Sequence, residues 1–243
     1  MLTNDILAHA QAVAPGEACG LVVRTVQGAE HYLPVENAAA HPAGQFLLPP
    51  EAFIAAQRTG EVVAVVHSHP DGVPYLSAPD RAHQVNSALP WWLVCAGRIY
   101  RFRCIPPLLG RFFVHGESDC YGLFRDAYHL AGFDLPDFPR TENWWRRGDN
   151  LYLANFADNG FRQVKNAIRP GDIVLCCYAS SVPNHAAVYL GNQTILHHIP
   201  NQLSKREGYT DRWQRMTHSL WRYRAWSPSA CTGIYNDLAA AFP

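Results

Sequence analysis

The chain lacks an excess of either charge: over 243 residues, 20 lysines and arginines balance 20 aspartates and glutamates. That balance gives no electrostatic reason to take a polyanion as the main partner, so nucleic acid is not expected to bind. Long hydrophobic runs are missing too. No stretch approaches the ~20 apolar residues needed to cross a bilayer, so no membrane span is expected. The opening MLTNDILAHAQA has no basic stretch followed by an apolar core and does not read as a signal peptide. The seven cysteines show no CxxC spacing. An odd number without that spacing argues against both a disulfide framework and a structural zinc knuckle, leaving reduced thiols made in a cytoplasm. Internal repeats and low-complexity segments are also lacking.

What is present suits two ordinary globular domains. Apolar residues make up 48% of the chain, enough for a core in each of two parts of roughly 100–130 residues. The first part alternates elements. A helix is expected over 2–13, strands over 19–26 and 30–37, a helix from Pro50 to Thr59, and a buried strand over 62–70. A helix over Ala78–Ala88 and the strand pair WWLVCAG and RIYRFRC follow, which is mixed α/β. The segment IPPLLGRF (105–112), with two prolines and a glycine, breaks the rhythm and places a domain boundary there. Domains are therefore expected over 1–106 and 111–243. The second part predicts a helix over 119–131, a helix near 149–158, and strands DIVLCCY, HAAVYLG and TILHHI, a helix on a small antiparallel sheet.

One cluster of chemistry lies in HSHPDGVPYLSAPD. Residues two apart on a strand share a face, so His67 and His69 present their imidazoles side by side. Asp80 can add an oxygen ligand, leaving a fourth position for water, the layout of a catalytic rather than a closed zinc site. Glu17, just ahead of the strand CGLVV, is the candidate carboxylate to take the water's proton. The bland reading is a helix cap, with Ser77 capping and Asp80 near the positive helix end. The two coincide, because a cap can hold Asp80 rigid. Glu17 with CG behind it, then HSHP, then Ser77-x-x-Asp80 resembles the JAMM (MPN-plus) metallopeptidase motif over about residues 1–104. The resemblance implies a cytidine deaminase-like α/β fold, zinc on His67, His69 and Asp80, Glu17 as general base, and Ser77 stabilising the oxyanion. It implies cleavage of peptide or isopeptide bonds.

The second cluster centres on DCYGLFRDAYHLAG, where Asp119 suits an N-cap and Cys120 falls in the first helical turn. The positive helix end favours a thiolate there. The alternative is a small buried hydrophobe. A hairpin turning at Gly191-Asn192 brings His185 and His197 within a residue or two of facing each other. One imidazole can then deprotonate Cys120 while the other orients it; His198 is expected on the opposite face. DCYGL, RPGDIVL and NHAAVYLG with LHH following are similar to the NlpC-type peptidases of the papain-like group, over about residues 111–225. That likeness implies an α+β fold with Cys120 as nucleophile, His185 as base and His197 as the third polar residue. It implies stem peptides of the bacterial wall as substrate. Tyr121 departs from the family pattern, where serine is commoner.

Both modules in this order resemble a family of phage tail-tip assembly proteins. The pairing implies other tail-tip proteins as partners, with peptidoglycan stem peptides or a tail protein as substrate. It implies a place in the host cytoplasm during tail assembly or at the virion tail tip. The alternative is a structural tail component that uses one or both peptidase folds as binding modules.

Overall fold

The computed structural model describes residues 1–165 and 167–242. It divides into two compact units, Met1–Ile105 joined by the C-terminal end from Ala241, and Pro106–Ala240. In the first unit α1 (Leu2–Val13) precedes β1 (Cys19–Arg24) and β2 (Glu30–Val35). Then come α2 (Pro50–Gln57), β3 (Glu61–Ser68), α3 (Ala78–Ser87), β4 (Trp91–Cys95) and β5 (Arg98–Phe102). The strand order is β2-β1-β3-β4-β5, with β3 and β4 parallel and the other pairs antiparallel. A parallel pair cannot be closed by a tight turn, and α3 is the crossover that joins it.

Alternation along the strands sorts the core into two layers. Leu21, Val23, Val65 and Leu93 pack with Ala56 of α2 on one face. Val22, Ala64, Val66 and Val94 pack with Ile6 of α1 on the other. A sheet covered on both faces needs continuous apolar strands, which is why CGLVV and VVAVV do not alternate. Gly20 is forced by close approach: a Cβ there would stand 2.5 Å from both the Leu33 carbonyl and the Tyr32 ring.

The second unit opens with α4 (Cys120–Leu130) and α5 (Leu151–Phe156), followed by β6 (Phe161–Val164), β7 (Ile173–Cys176), β8 (His185–Gly191) and β9 (Thr194–His197). β10 (Lys205–Gly208), α6 (Asp211–Met216), β11 (Thr217–Tyr223) and α7 (Cys231–Ala239) complete it. Its sheet is antiparallel in the order β10-β9-β8-β7-β11-β6, and α4 packs on β8.

The architecture is the expected helix on an antiparallel sheet, but the sheet has six strands where the sequence pointed to three. The additional strands are FRQV, KREG and THSLWRY, and two of them form the edges. Edge strands carry charge and lack apolar alternation because one side faces water, so periodicity does not reveal them. A buried ion pair ties the sheet to the RPGD turn: Arg222 holds both Asp172 oxygens at 2.7 Å through Nε and Nη2.

Candidate functional site

In the first unit β3 carries His67 and delivers His69 one residue beyond its end. The two Nε2 atoms are 3.1 Å apart, and Asp80 Oδ2 lies 3.4 Å from the first and 3.3 Å from the second. Phe46 stacks on the His67 ring at 4.6 Å and Trp91 meets it edge-on at 5.4 Å, fixing its plane. The Nδ1 of His69 donates to the Val73 carbonyl at 2.8 Å. A carbonyl only accepts, so Nδ1 carries the proton and the Nε2 lone pair faces the cluster.

Asp80 is held by a capping box. Its Oδ2 accepts from the Ser77 amide at 2.8 Å, and Ser77 Oγ accepts from the Asp80 amide at 3.2 Å. Burial opposes ionisation of Asp80, but the His67 and His69 imidazoles and Ser77 outweigh it and keep the carboxyl well below its ordinary range. The functional and structural readings of the Ser77–Asp80 pair are therefore realised together. Ser77 Oγ accepts one bond and retains its own proton to donate.

Glu17 is almost fully buried beside this cluster. Burial pushes its carboxyl up to about 7, against the pull of the His69 imidazole. That is the range a proton-transfer group needs near neutral pH. Glu17 also borders a cavity of about 600 Å³ lined by His9, Glu36, Asn37 and His41. The loop that carries it is stapled by Asn37. The Asn37 amide nitrogen donates to the Glu17 and Gln45 carbonyls, both at 2.9 Å, and its oxygen accepts from the Ala39 and Leu47 amides. Nothing in the sequence pattern marked Asn37.

In the second unit Cys120 is the first residue of α4. Asp119 is the N-cap, with Oδ1 accepting from the Gly122 amide at 2.9 Å and Oδ2 from Arg140 Nε at 2.8 Å and the Gly116 amide at 2.9 Å. Glycine at 122 is required because a Cβ would lie 2.2 Å from the Glu117 carbonyl oxygen. Arg140 stacks over Tyr121, 4.8 Å from the ring centroid, and the Tyr121 hydroxyl donates to the Pro136 carbonyl at 2.6 Å. The tyrosine that departs from the family pattern thus pins the connector carrying Arg140 against the cap behind the thiol.

The sulfur lies 3.2 Å from the Tyr152 hydroxyl and hydrogen-bonds the Ala186 amide. Cys120 and His185 line one cleft of about 400 Å³ with Phe113, Trp144, Trp145 and His198. His185 opens β8 and His197 closes β9; their ring centroids are 5.4 Å apart at 77°. Trp213 is fully buried against both rings, at 5.4 Å and 4.6 Å. His198, expected on the face opposite His197, lines the cleft of Cys120, which His197 does not, and packs on Phe113 at 5.2 Å. His129 is buried against Asp134, and His115 packs on Trp145.

The expectation of a favoured thiolate fails in the free protein. Burial pushes the Cys120 thiol up to about 11, with the Asp119 carboxylate adding to the rise. A helix N-terminus contributes about 0.3–1 kcal/mol, less than one pKa unit, and cannot reverse that. Burial also lowers His185 to about 3 and His197 to about 4. Sulfur and imidazole therefore rest as a neutral pair at neutral pH.

The two histidines have a stability consequence. A base whose folded pKa is depressed is neutral in the folded chain and charged once unfolded below its ordinary pKa of 6.5. The stabilisation is full above 6.5 and is lost as pH falls toward the folded values of about 3 and 4. Between pH 7 and pH 5 each ring is expected to cost about 2 kcal/mol of unfolding free energy. Denaturant titrations at the two pH values check this, and His197→Asn should remove about half of that loss.

Comparison with known proteins fits this arrangement. Residues 2–105 match the family described as prokaryotic homologs of the JAB domain, and residues 110–222 match the NlpC/P60 family. Tail tip assembly protein K of Escherichia phage lambda is 63% identical over 195 residues, 80% of this chain and 98% of that protein. Tail tip assembly protein K of Escherichia phage N15 is 36% identical over 228 residues, 91% of this chain and 93% of its own length. A desampylase of Haloferax volcanii is 37% identical over 92 residues, 32% of this chain and 64% of that protein. The chain belongs to the family of phage tail tip assembly protein K, with a JAB-type unit followed by an NlpC/P60 unit.

Proposed function

We propose that this tail tip assembly protein is a hydrolase with two independent sites, a zinc-dependent peptidase in the first unit and a thiol peptidase in the second. The observation that carries the reading is convergence. His67, His69 and Asp80 bring three donor atoms within 3.4 Å of one another. Cys120 and His185, 65 positions apart in the chain, share one cleft.

The donor set fits zinc. Bonds of about 2.0–2.1 Å place tetrahedral ligands about 3.3 Å apart, which is the spacing found, and the His69 tautomer leaves its Nε2 free to ligate. His67, His69 and Asp80 would hold the ion, which supplies a Lewis acid and a water acidified to near neutral pH. Glu17 takes a proton on its carboxylate and returns it to the leaving amine. Ser77 donates its hydroxyl hydrogen to the developing oxyanion.

In the second unit His185 takes the thiol proton as the Cys120 sulfur attacks an amide carbonyl, rather than before, because both groups rest neutral. The proton passes to the leaving amine, and water then releases the acyl group. Apolar walls from Phe113, Trp144 and Trp145 suit an extended peptide. The substrates are stem peptides of the bacterial wall or a tail protein, met in the host cytoplasm during assembly or at the virion tail tip.

The test separates enzyme from scaffold. A phage carrying Cys120→Ala together with Glu17→Gln is expected to assemble few or no infectious particles although the protein accumulates normally. Normal titres from the double variant would favour a structural component whose peptidase folds serve only as binding surfaces.

A further inference from the structure

A carboxylate outside the three groups considered so far touches the thiol site from behind. His197 Nε2 lies 3.1 Å from Glu207 Oε2, and Lys205 Nζ holds the same oxygen at 2.9 Å. The contact follows from register. On the β9–β10 ladder Lys205 stands opposite His197, which puts Glu207 at the diagonal position, within reach of a ring. His197 is essentially fully buried, and Glu207 is the only polar side chain bonded to its ring among the described residues.

Nε2 of His185 and Nδ1 of His197 are both buried without a hydrogen-bond partner among the described residues, as are both nitrogens of His198 and Nε1 of Trp213. No hydrogen bond joins the His185 and His197 rings, whose centroids are 5.4 Å apart, a spacing from which a ring shift can form one N–H···N bond of about 3 Å. Leaving both unpaired would cost about 1–3 kcal/mol for each. Which of the two donates is not free. An ionised carboxylate only accepts, so His197 must carry its proton on Nε2, facing Glu207, and its Nδ1 must be a lone pair. A lone pair at Nδ1 calls for a donor, so the His185 proton sits on its own Nε2. That leaves His185 Nδ1 as the free base.

We infer that Glu207 is a positioning residue that sets the tautomers of His197 and, through it, His185, so that His185 offers an unprotonated Nδ1 for the thiol proton. The inference rests on the proposed thiol chemistry for its purpose, but its physical content does not. Lys205 keeps the carboxylate in place, and Trp213 fixes the planes of both rings. Without Glu207 either tautomer of His197 is available, and a proton on its Nδ1 would turn His185 into a poor base for the cleft.

The experiment is long-range ¹H–¹⁵N correlation on the full-length chain at pH 7.5, which reads the tautomer of each neutral imidazole directly. Both His185 and His197 are expected as Nε2–H in the unaltered protein. In Glu207→Ala both should shift toward Nδ1–H or a mixture, and Glu207→Asp should restore the original pattern at least in part. Alkylation of Cys120 by iodoacetamide at the same pH should slow about 10–100-fold in Glu207→Ala. A His197 that is Nδ1–H in the unaltered protein overturns the inference, and that spectrum needs no variant to fold. So does a His185 whose tautomer and whose neighbour's reactivity are untouched by Glu207→Ala. The spectra are independent of peptide cleavage. A chain with the expected tautomers but no thiol-dependent hydrolysis would refute the proposed function and leave the tautomer assignment standing.

Discussion

Cys120→Ala is expected to lower hydrolysis by the second unit by at least about 10⁴-fold, with zinc content and hydrolysis by the first unit unchanged. The size follows from the chemistry. Alanine removes the atom that forms the acyl bond, and what remains is the cleft's ability to bind and polarise a peptide. Cys120 is also a clean site for substitution. Among the described residues its sulfur bonds Tyr152 and the Ala186 amide, whereas the helix start depends on Asp119 and Arg140. Folding should survive. Activity assays with metal analysis on the same preparation decide it, and retained thiol-dependent cleavage would remove Cys120 from the mechanism.

His69→Ala is expected to abolish stoichiometric zinc binding while leaving hydrolysis through Cys120 intact. Two of three protein donors do not hold the ion at a site built for three ligands and a water. His69 is preferred to Asp80 for this test because Asp80 also closes the capping box of α3, so its loss mixes metal loss with about 1 kcal/mol of helix destabilisation. His67 packs face-on against Phe46 and edge-on against Trp91, and its removal would leave a cavity in the core. The His69 side chain instead hangs beyond the strand end, tied among the described residues to Val73 and the cluster. Zinc still bound at one ion per chain would defeat the ligand assignment.

Much of this was legible in the amino-acid order because short-range rules placed it. Two-residue periodicity put His67 and His69 on one face, a capping signature fixed Ser77 and Asp80, and a hairpin folded His185 toward His197, although its turn residues are Asn192 and Gln193, one place beyond the expected Gly191-Asn192. What was not legible depends on long-range placement. Tyr152 reaches Cys120 from a separate short helix, Arg140 reaches Asp119 across a connector without periodicity, and Glu207 reaches His197 only through the register of a charged edge strand. The thiolate expectation failed for a related reason. The helix end is visible in sequence, but the burial that outweighs it is a property of the folded cleft.

The most direct measurement is the mass of the products released when the purified full-length chain meets muropeptides and, separately, the other tail-tip proteins. The account predicts peptide-bond cleavage that divides into two sets, one lost in Cys120→Ala and the other lost in Glu17→Gln. Products identical in both variants and in the unaltered chain, or no cleavage of any offered peptide, would contradict it.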